Sequence, residues 1–223
     1  MLDVHPPHER MHGFRDFALH LFTITVGLLI ALSLEGCMER HNHRTLVHEA
    51  EAGLRVEIEK NSGNLVYLRQ QVKDQEKQLN DDLTLLSQMQ TQPNAPHGQL
   101  SFGFRWRSFD DVAWKTAQST SALAYMTYQD ASTYSNIYDM QSEVFNAEKD
   151  VTDEVLRTAA FPSTTAGNWL PTPAQTDDPR THIGLLRMRL MLLTSYIDGL
   201  GSIYKNFKSS PNWRLMRECF RIM

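Results

Sequence analysis

Residues 54–89 read LRVEIEKNSGNLVYLRQQVKDQEKQLNDDLTLLSQM, and their spacing decides the fold. Ile58, Leu65, Val72, Leu79 and Leu86 recur every seven residues. A second column, Val47, Leu54, Asn61, Leu68, Gln75, Asp82 and Met89, is offset from the first by three. A 3-4 alternation places both columns on one helix face and is the pattern of a coiled-coil or helical-bundle seam. Asn61, Gln75 and Asp82 interrupt the second column. Polar residues at such positions cost stability and fix register or oligomeric state. The expected interaction seam is therefore Leu54, Ile58, Asn61, Leu65, Leu68, Val72, Leu79 and Leu86. It packs either against a partner chain or against the later helices of the same chain, and the need of those helices to bury their own apolar faces favours the second.

Toward the N-terminus no proline interrupts the pattern. Residues 17–34, FALHLFTITVGLLIALSL, carry no charged side chain. At about 1.5 Å per residue they reach roughly 27 Å, close to the ~30 Å hydrocarbon core of a bilayer. Arg15 and Asp16 bound the run on one side and Glu35, Glu39 and Arg40 on the other, as headgroup-region charges do. Thr23, Thr25 and Ser33 can return their hydroxyls to the backbone one turn earlier. We read residues 17–36 as a transmembrane helix that continues into a membrane-exit helix over 37–92, after a short tail over 1–16. Leu34-Glu35-Gly36-Cys37 is similar to a bacterial lipobox, with Glu35 in a place that normally holds a small uncharged residue; either reading tethers the chain to lipid. Arg10 and Arg15 before the span balance Arg40 and Arg44 after it, so flanking charge does not orient the chain. A short lead followed by one span places the body outside the cytoplasm.

Toward the C-terminus QPNAPHG, residues 92–98, ends the long helix. Leu100, Phe102, Phe104 and Trp106 then alternate with polar or small residues, which predicts an extended segment laid across helices, with Arg105 and Arg107 outward. Ser108 with Asp111, and Thr127 with Asp130, are candidate capping boxes for helices over 111–126 and from 127 to about 160. The second of these turns Tyr134, Ile137, Tyr138, Val144, Val151 and Val155 inward. Residues 161–178 are rich in Pro, Thr, Ser and Gly. Asp178 and Pro179 predict the start of a last helix with Ile183, Leu186, Leu190, Leu193, Ile197, Leu200, Ile203 and Phe207 on its core face. The fold class is thus all-α: an N-terminal transmembrane helix continuing into a long helix, packed with about three further helices as a bundle over 93–210. Residues 93–108 and 161–178 are irregular, and a basic tail, with Trp213, Arg214, Arg217 and Arg221, occupies 211–223.

The formal charge of −4 offers no broad basic surface, which argues against nucleic acid as a partner. Two cysteines are too few for a disulfide framework. His41 and His48, two turns apart, are too distant to share a metal ion, and no P-loop, dinucleotide-binding glycine pattern, nucleophile elbow or CxxC occurs. No catalytic, cofactor or metal site is expected. Trp114, Tyr134 and Tyr138 form a candidate ligand pocket, although rings at helical spacing also build cores.

Gly27-Leu28-Leu29-Ile30-Ala31-Leu32, Glu35, Glu39-Arg40, Leu54 to Ile58 and Asn61, followed by Trp114 to Leu123 with Tyr134 and Tyr138, resemble uncharacterised bacterial single-pass membrane proteins. The resemblance implies a helical domain of unknown function anchored in a bacterial inner membrane. Ser121 stands where glycine is expected in that group. The function expected from the sequence is that of a scaffold or accessory subunit, with the lipid bilayer and a protein partner or a second copy as its contacts. A four-helix-type small-molecule sensor is the alternative, and a membrane-tethered enzyme a third reading.

Overall fold

A long helix, α1, spans Phe14–Thr91 in a computed structural model of the chain. The structure describes residues 13–92, 98, 100, 101, 103–105, 107–159 and 173–210. After α1 come α2 (Val112–Ser119), a 3-10 turn (Ala122–Tyr125), α3 (Tyr128–Ala159) and α4 (Pro173–Ser209). No strand occurs among the described residues. The chain divides into two compact units, residues 1–49 and 50–223. The expectations for the N-terminal lead, residues 93–97, Phe102, Trp106, Trp169, Cys219 and the 211–223 tail lie outside the described residues.

In the first unit no described residue of α1 is fully buried, and only Val26, Gly36, His43, Leu46 and Val47 are partly covered. Leu19, Phe22, Leu28 and Leu34 are 58–71% exposed, and this one helix is long and apolar enough to cross a membrane. The hydroxyls of Thr23, Thr25 and Ser33 donate to the carbonyls of Leu19, Leu21 and Leu29 at 2.9, 2.8 and 2.6 Å, which removes their need for water.

The second unit is a bundle of three long helices. Each buries one 3-4 face: Leu54 to Met89 on α1, Tyr134 to Thr158 on α3, and Pro179 to Tyr204 on α4. Lys208 donates to Ser62 at 2.6 Å, Arg69 to Asp198 at 2.7 Å and Arg180 to Gln90 at 2.9 Å, so α4 runs antiparallel to α1. His182 with Glu154 (2.6 Å) and Arg189 with Asp150 (3.1 Å) set α4 antiparallel to α3 as well. Helices α1 and α3 are therefore parallel, as the Glu57–Tyr138 and Asn61–Gln141 contacts confirm. The α4 face is the most apolar. Ile183, Leu186, Leu190, Leu193, Ile197 and Leu200 are at most 1% exposed, each contributing about 1.5–3 kcal/mol of transfer free energy. Helix α4 closes tightly on α1 at Gly201, where an added Cβ would stand 3.1 Å from Arg69 Nη2 and 3.7 Å from Leu65 Cδ2.

Two parallel helices require the chain to travel back between them. Ser101 N–H donates to Asp82 at 3.1 Å and Asp110 N–H to Asn61 at 2.9 Å. Nine chain steps thus track 21 residues of α1, about 31 Å of helix, which only a nearly fully extended chain can do. Ser101, Gly103 to Arg105 and Arg107 lie in this stretched return, and no strand occurs there among the described residues. Arg105 is exposed. Arg107 is exposed too, but its Nε donates to Asn64 and its guanidinium lies 5.1 Å above the Tyr67 ring.

Four expectations are corrected. Helix α2 begins only at Val112, so Ser108 does not cap it, and Asp111, at the N-cap position, makes no capping bond; the α2 amides are capped from α1 instead. The helix expected over 111–126 breaks at Ser121, whose φ of 60° is left-handed. Helix α4 begins at Pro173, so Pro179 lies within it and residues 173–178 are not irregular. Near the end of α4 it is Tyr204, at 3% exposure, that holds the core position, while Ile203 and Phe207 are half-buried; the 3-4 step from Leu200 leads to 204. Thr127 caps α3 as read: its hydroxyl oxygen accepts from the Asp130 amide at 3.1 Å, and the hydroxyl itself donates to the Asp130 carboxylate at 2.6 Å.

Candidate functional site

Every residue of the seam lies in the core of its own chain: Leu54, Ile58, Asn61, Leu68, Leu79 and Leu86 are 0% exposed, Val72 2% and Leu65 4%. Their apolar members pack inside the three-helix bundle, so the seam is no surface for a second chain. Its polar members hold the returning segment. Asn61 Nδ2 donates to the Asp110 carbonyl at 2.7 Å while its Oδ1 accepts from the Asp110 amide at 2.9 Å. This side-chain amide pairs with the backbone as a neighbouring strand would. Asn64, one turn on, donates to the Ser108 carbonyl at 3.1 Å and accepts from Arg107 Nε at 3.1 Å. Asp82 accepts from Ser101 N–H and from Gln78, and burial pushes its carboxyl up. Lys60 pairs with Asp110 at the rim.

Glu57 carries the end of this arrangement. It is 8% exposed. Its Oε2 accepts from the Ala113 amide at 2.8 Å and its Oε1 from the Trp114 amide at 3.4 Å. These are the second and third residues of α2, whose orphan amides are thus capped by a carboxylate from another helix. Oε1 also accepts from the Tyr138 hydroxyl at 2.6 Å. Burial, reinforced by this acceptor, pushes the Tyr138 hydroxyl well above its usual range, so it remains a donor.

With α2 fixed in this way, Trp114 stacks on Tyr138, centroids 4.9 Å apart and planes within 8°. The pair lines a half-open cleft of about 540 Å³ between α2 and α3, together with Phe109, Asp139, Gln141 and Phe145. Tyr134 does not join it. That ring packs edge-on against Phe207 at 5.6 Å, faces a separate cleft of about 730 Å³ beside Arg55 and Asn206, and has its hydroxyl pushed up to about 12 by burial. The expected trio is thus split between two sites. Phe145 was legible as the residue seven after Tyr138 on the same helix face. Phe109 and Asp139 carried no sequence signal.

Farther along the bundle, the buried Glu154 carboxylate meets His182 Nδ1 at 2.6 Å, Arg189 Nε at 3.5 Å and Arg157 Nη1 at 3.7 Å, an ion-paired tie between α3 and α4. Among the described residues no group of three or more His, Cys, Asp or Glu side chains is placed to hold a metal ion. No protein-family model, curated protein or solved structure matches the chain with significance.

Proposed function

We propose that this chain is a single-pass bacterial inner-membrane protein whose helical bundle lies outside the cytoplasm and serves as a scaffold or accessory subunit. One observation carries the reading: an uncharged apolar helix face runs all round residues 17–34, and none of it is buried. Such a surface in water would cost tens of kcal/mol at about 25 cal/mol per Å², whereas a bilayer removes that cost. Because the seam is filled from within, contact with a partner falls to other surfaces. The span is one. The outer face of α4 is another, where Leu185, Met188 and Leu192 are 48–63% exposed at 3-4 spacing.

Alkaline carbonate extraction of membranes from cells expressing the full chain tests the anchor, and retention in the pellet is expected. Cys37, exposed just past the span, tests orientation. In a Cys219→Ser background it should react with a membrane-impermeant maleimide in intact spheroplasts. Release by carbonate would remove the anchor, and labelling only after lysis would reverse the orientation. A second reading, a small-molecule-responsive bundle, is favoured by the cleft at Trp114 and Tyr138.

A further inference from the structure

We propose that the cleft between α2 and α3 binds a small organic cation, a compound with an amine or quaternary ammonium head. The inference deepens the second reading above and does not depend on the anchor. Three features of the cleft carry it.

The first is its rings. Phe109, Trp114, Tyr138 and Phe145 all line the one cleft, and Phe145 is 51% exposed. Aromatic faces are negative and attract a cation lodged among them. The second is charge. Two carboxylates and one ammonium border the cleft. Lys115 is spent on Asp111 at 2.7 Å, while Asp139 takes only a long 3.4 Å bond from the Ser135 hydroxyl and has no ion pair among the described residues. The balance is one net negative charge beside the rings, which repels an anion and leaves a counter-charge for a cation. The third is rigidity. Tyr138 is held by Glu57 at 2.6 Å and by the stacked Trp114, so the wall is formed before any ligand arrives and little ordering cost falls on binding. A volume of about 540 Å³ lies within the range of small-molecule sites.

The test is saturation-transfer NMR on the full chain in maltoside micelles, comparing choline with 3,3-dimethylbutan-1-ol, which has the same shape and no charge. Choline should bind saturably and at least about fivefold more tightly than the neutral alcohol. Asp139→Asn, an exposed position on α3, should weaken choline about three- to tenfold and leave the alcohol unchanged. Phe145→Ala, at a side chain 51% exposed, should weaken choline as well. Equal binding of the two compounds, or an Asp139→Asn variant with unaltered choline affinity, overturns the cation class while leaving a ligand site in place. No saturable binding of either compound overturns the proposal and the small-molecule reading with it.

Discussion

The Tyr138 hydroxyl donates a 2.6 Å hydrogen bond to Glu57 Oε1 across the α1–α3 interface. The same carboxylate caps the amides of Ala113 and Trp114. One side chain therefore fixes the position of α2, the rotamer of Tyr138 and the pairing of two long helices, which makes Glu57 the residue on which the cleft depends.

Replacing Glu57 by Ala leaves the Tyr138 hydroxyl buried without its acceptor and uncaps α2. The expected loss is about 2–4 kcal/mol in chemical denaturation. Tyr138→Phe alone removes one charge-assisted bond. A double-mutant cycle of the two should give a coupling of about 1–2 kcal/mol. A coupling near zero would mean that the bond contributes nothing net, and that Glu57 acts on α2 only.

Asn61 gives a prediction whose sign separates two folds. In a coiled coil, converting a buried seam Asn to Leu raises stability and loosens register. Here the Asn61 amide holds both backbone groups of Asp110, and Leu cannot replace either bond. Asn61→Leu should therefore lower stability by about 1–3 kcal/mol and speed hydrogen exchange at the Asp110 amide. A more stable variant with an unchanged exchange rate would show that the returning segment is not held from this position.

The contrast at Asn61 also marks what the sequence could reveal. Periodic features were legible: the unbroken run into Thr91, the inward faces of α3 and α4, the cap at Thr127, the hydroxyls folded back within the apolar span. All are local or repeat at a fixed spacing. The backbone partners of Asn61, Asn64, Glu57 and Asp82 lie between 19 and 57 residues away, in the returning segment and the first turn of α2, so no spacing pointed to them, and a polar seam residue reads alike whether it meets another chain or a backbone. Ser108 looked like a cap with Asp111 as its box partner because both residue types serve in those places, but the helix starts three residues later and its amides are capped by a carboxylate brought in by tertiary packing. Pro179 looked like a helix start because proline is favoured there. Its ring is buried at the end of the α4 core face instead.

Ser121 sits just past α2 at φ 60° and donates its amide to the Gln118 carbonyl at 3.2 Å, the position after a helix end that glycine favours. A Cβ in this region costs about 1–2 kcal/mol, partly offset by the greater unfolded-state freedom of glycine. Ser121→Gly should therefore stabilise the chain by up to about 1 kcal/mol, and Ser121→Val should destabilise it by more than that, because β-branching is poorly tolerated at positive φ. Thermal unfolding of the two variants against the parent reads both signs. A destabilised glycine variant would mean that the Ser121 side chain makes a compensating contact.

Glu148 predicts how stability responds to pH. The residue is 1% exposed, and neither carboxylate oxygen has a hydrogen-bond partner. Burial pushes its carboxyl from the ordinary value of 4.5 up to about 8, because a charge in this core is neither solvated nor paired. Between these two values the folded chain holds a proton that the unfolded chain has released. Stability from this group is accordingly full below about pH 4.5 and is lost as pH rises toward 8, with a slope approaching about 1.4 kcal/mol per pH unit. Glu148→Gln keeps the shape and removes the titration. It should match the parent near pH 4.5 and exceed it increasingly up to pH 8, with Glu148→Leu equally free of this pH dependence and more stable throughout because no polar group remains to bury. Denaturation midpoints across that window decide the matter. Parent and Glu148→Gln curves that run parallel from pH 5 to 8 would show that the carboxylate finds a partner or solvent in the folded chain, and that the α3 core face tolerates its charge.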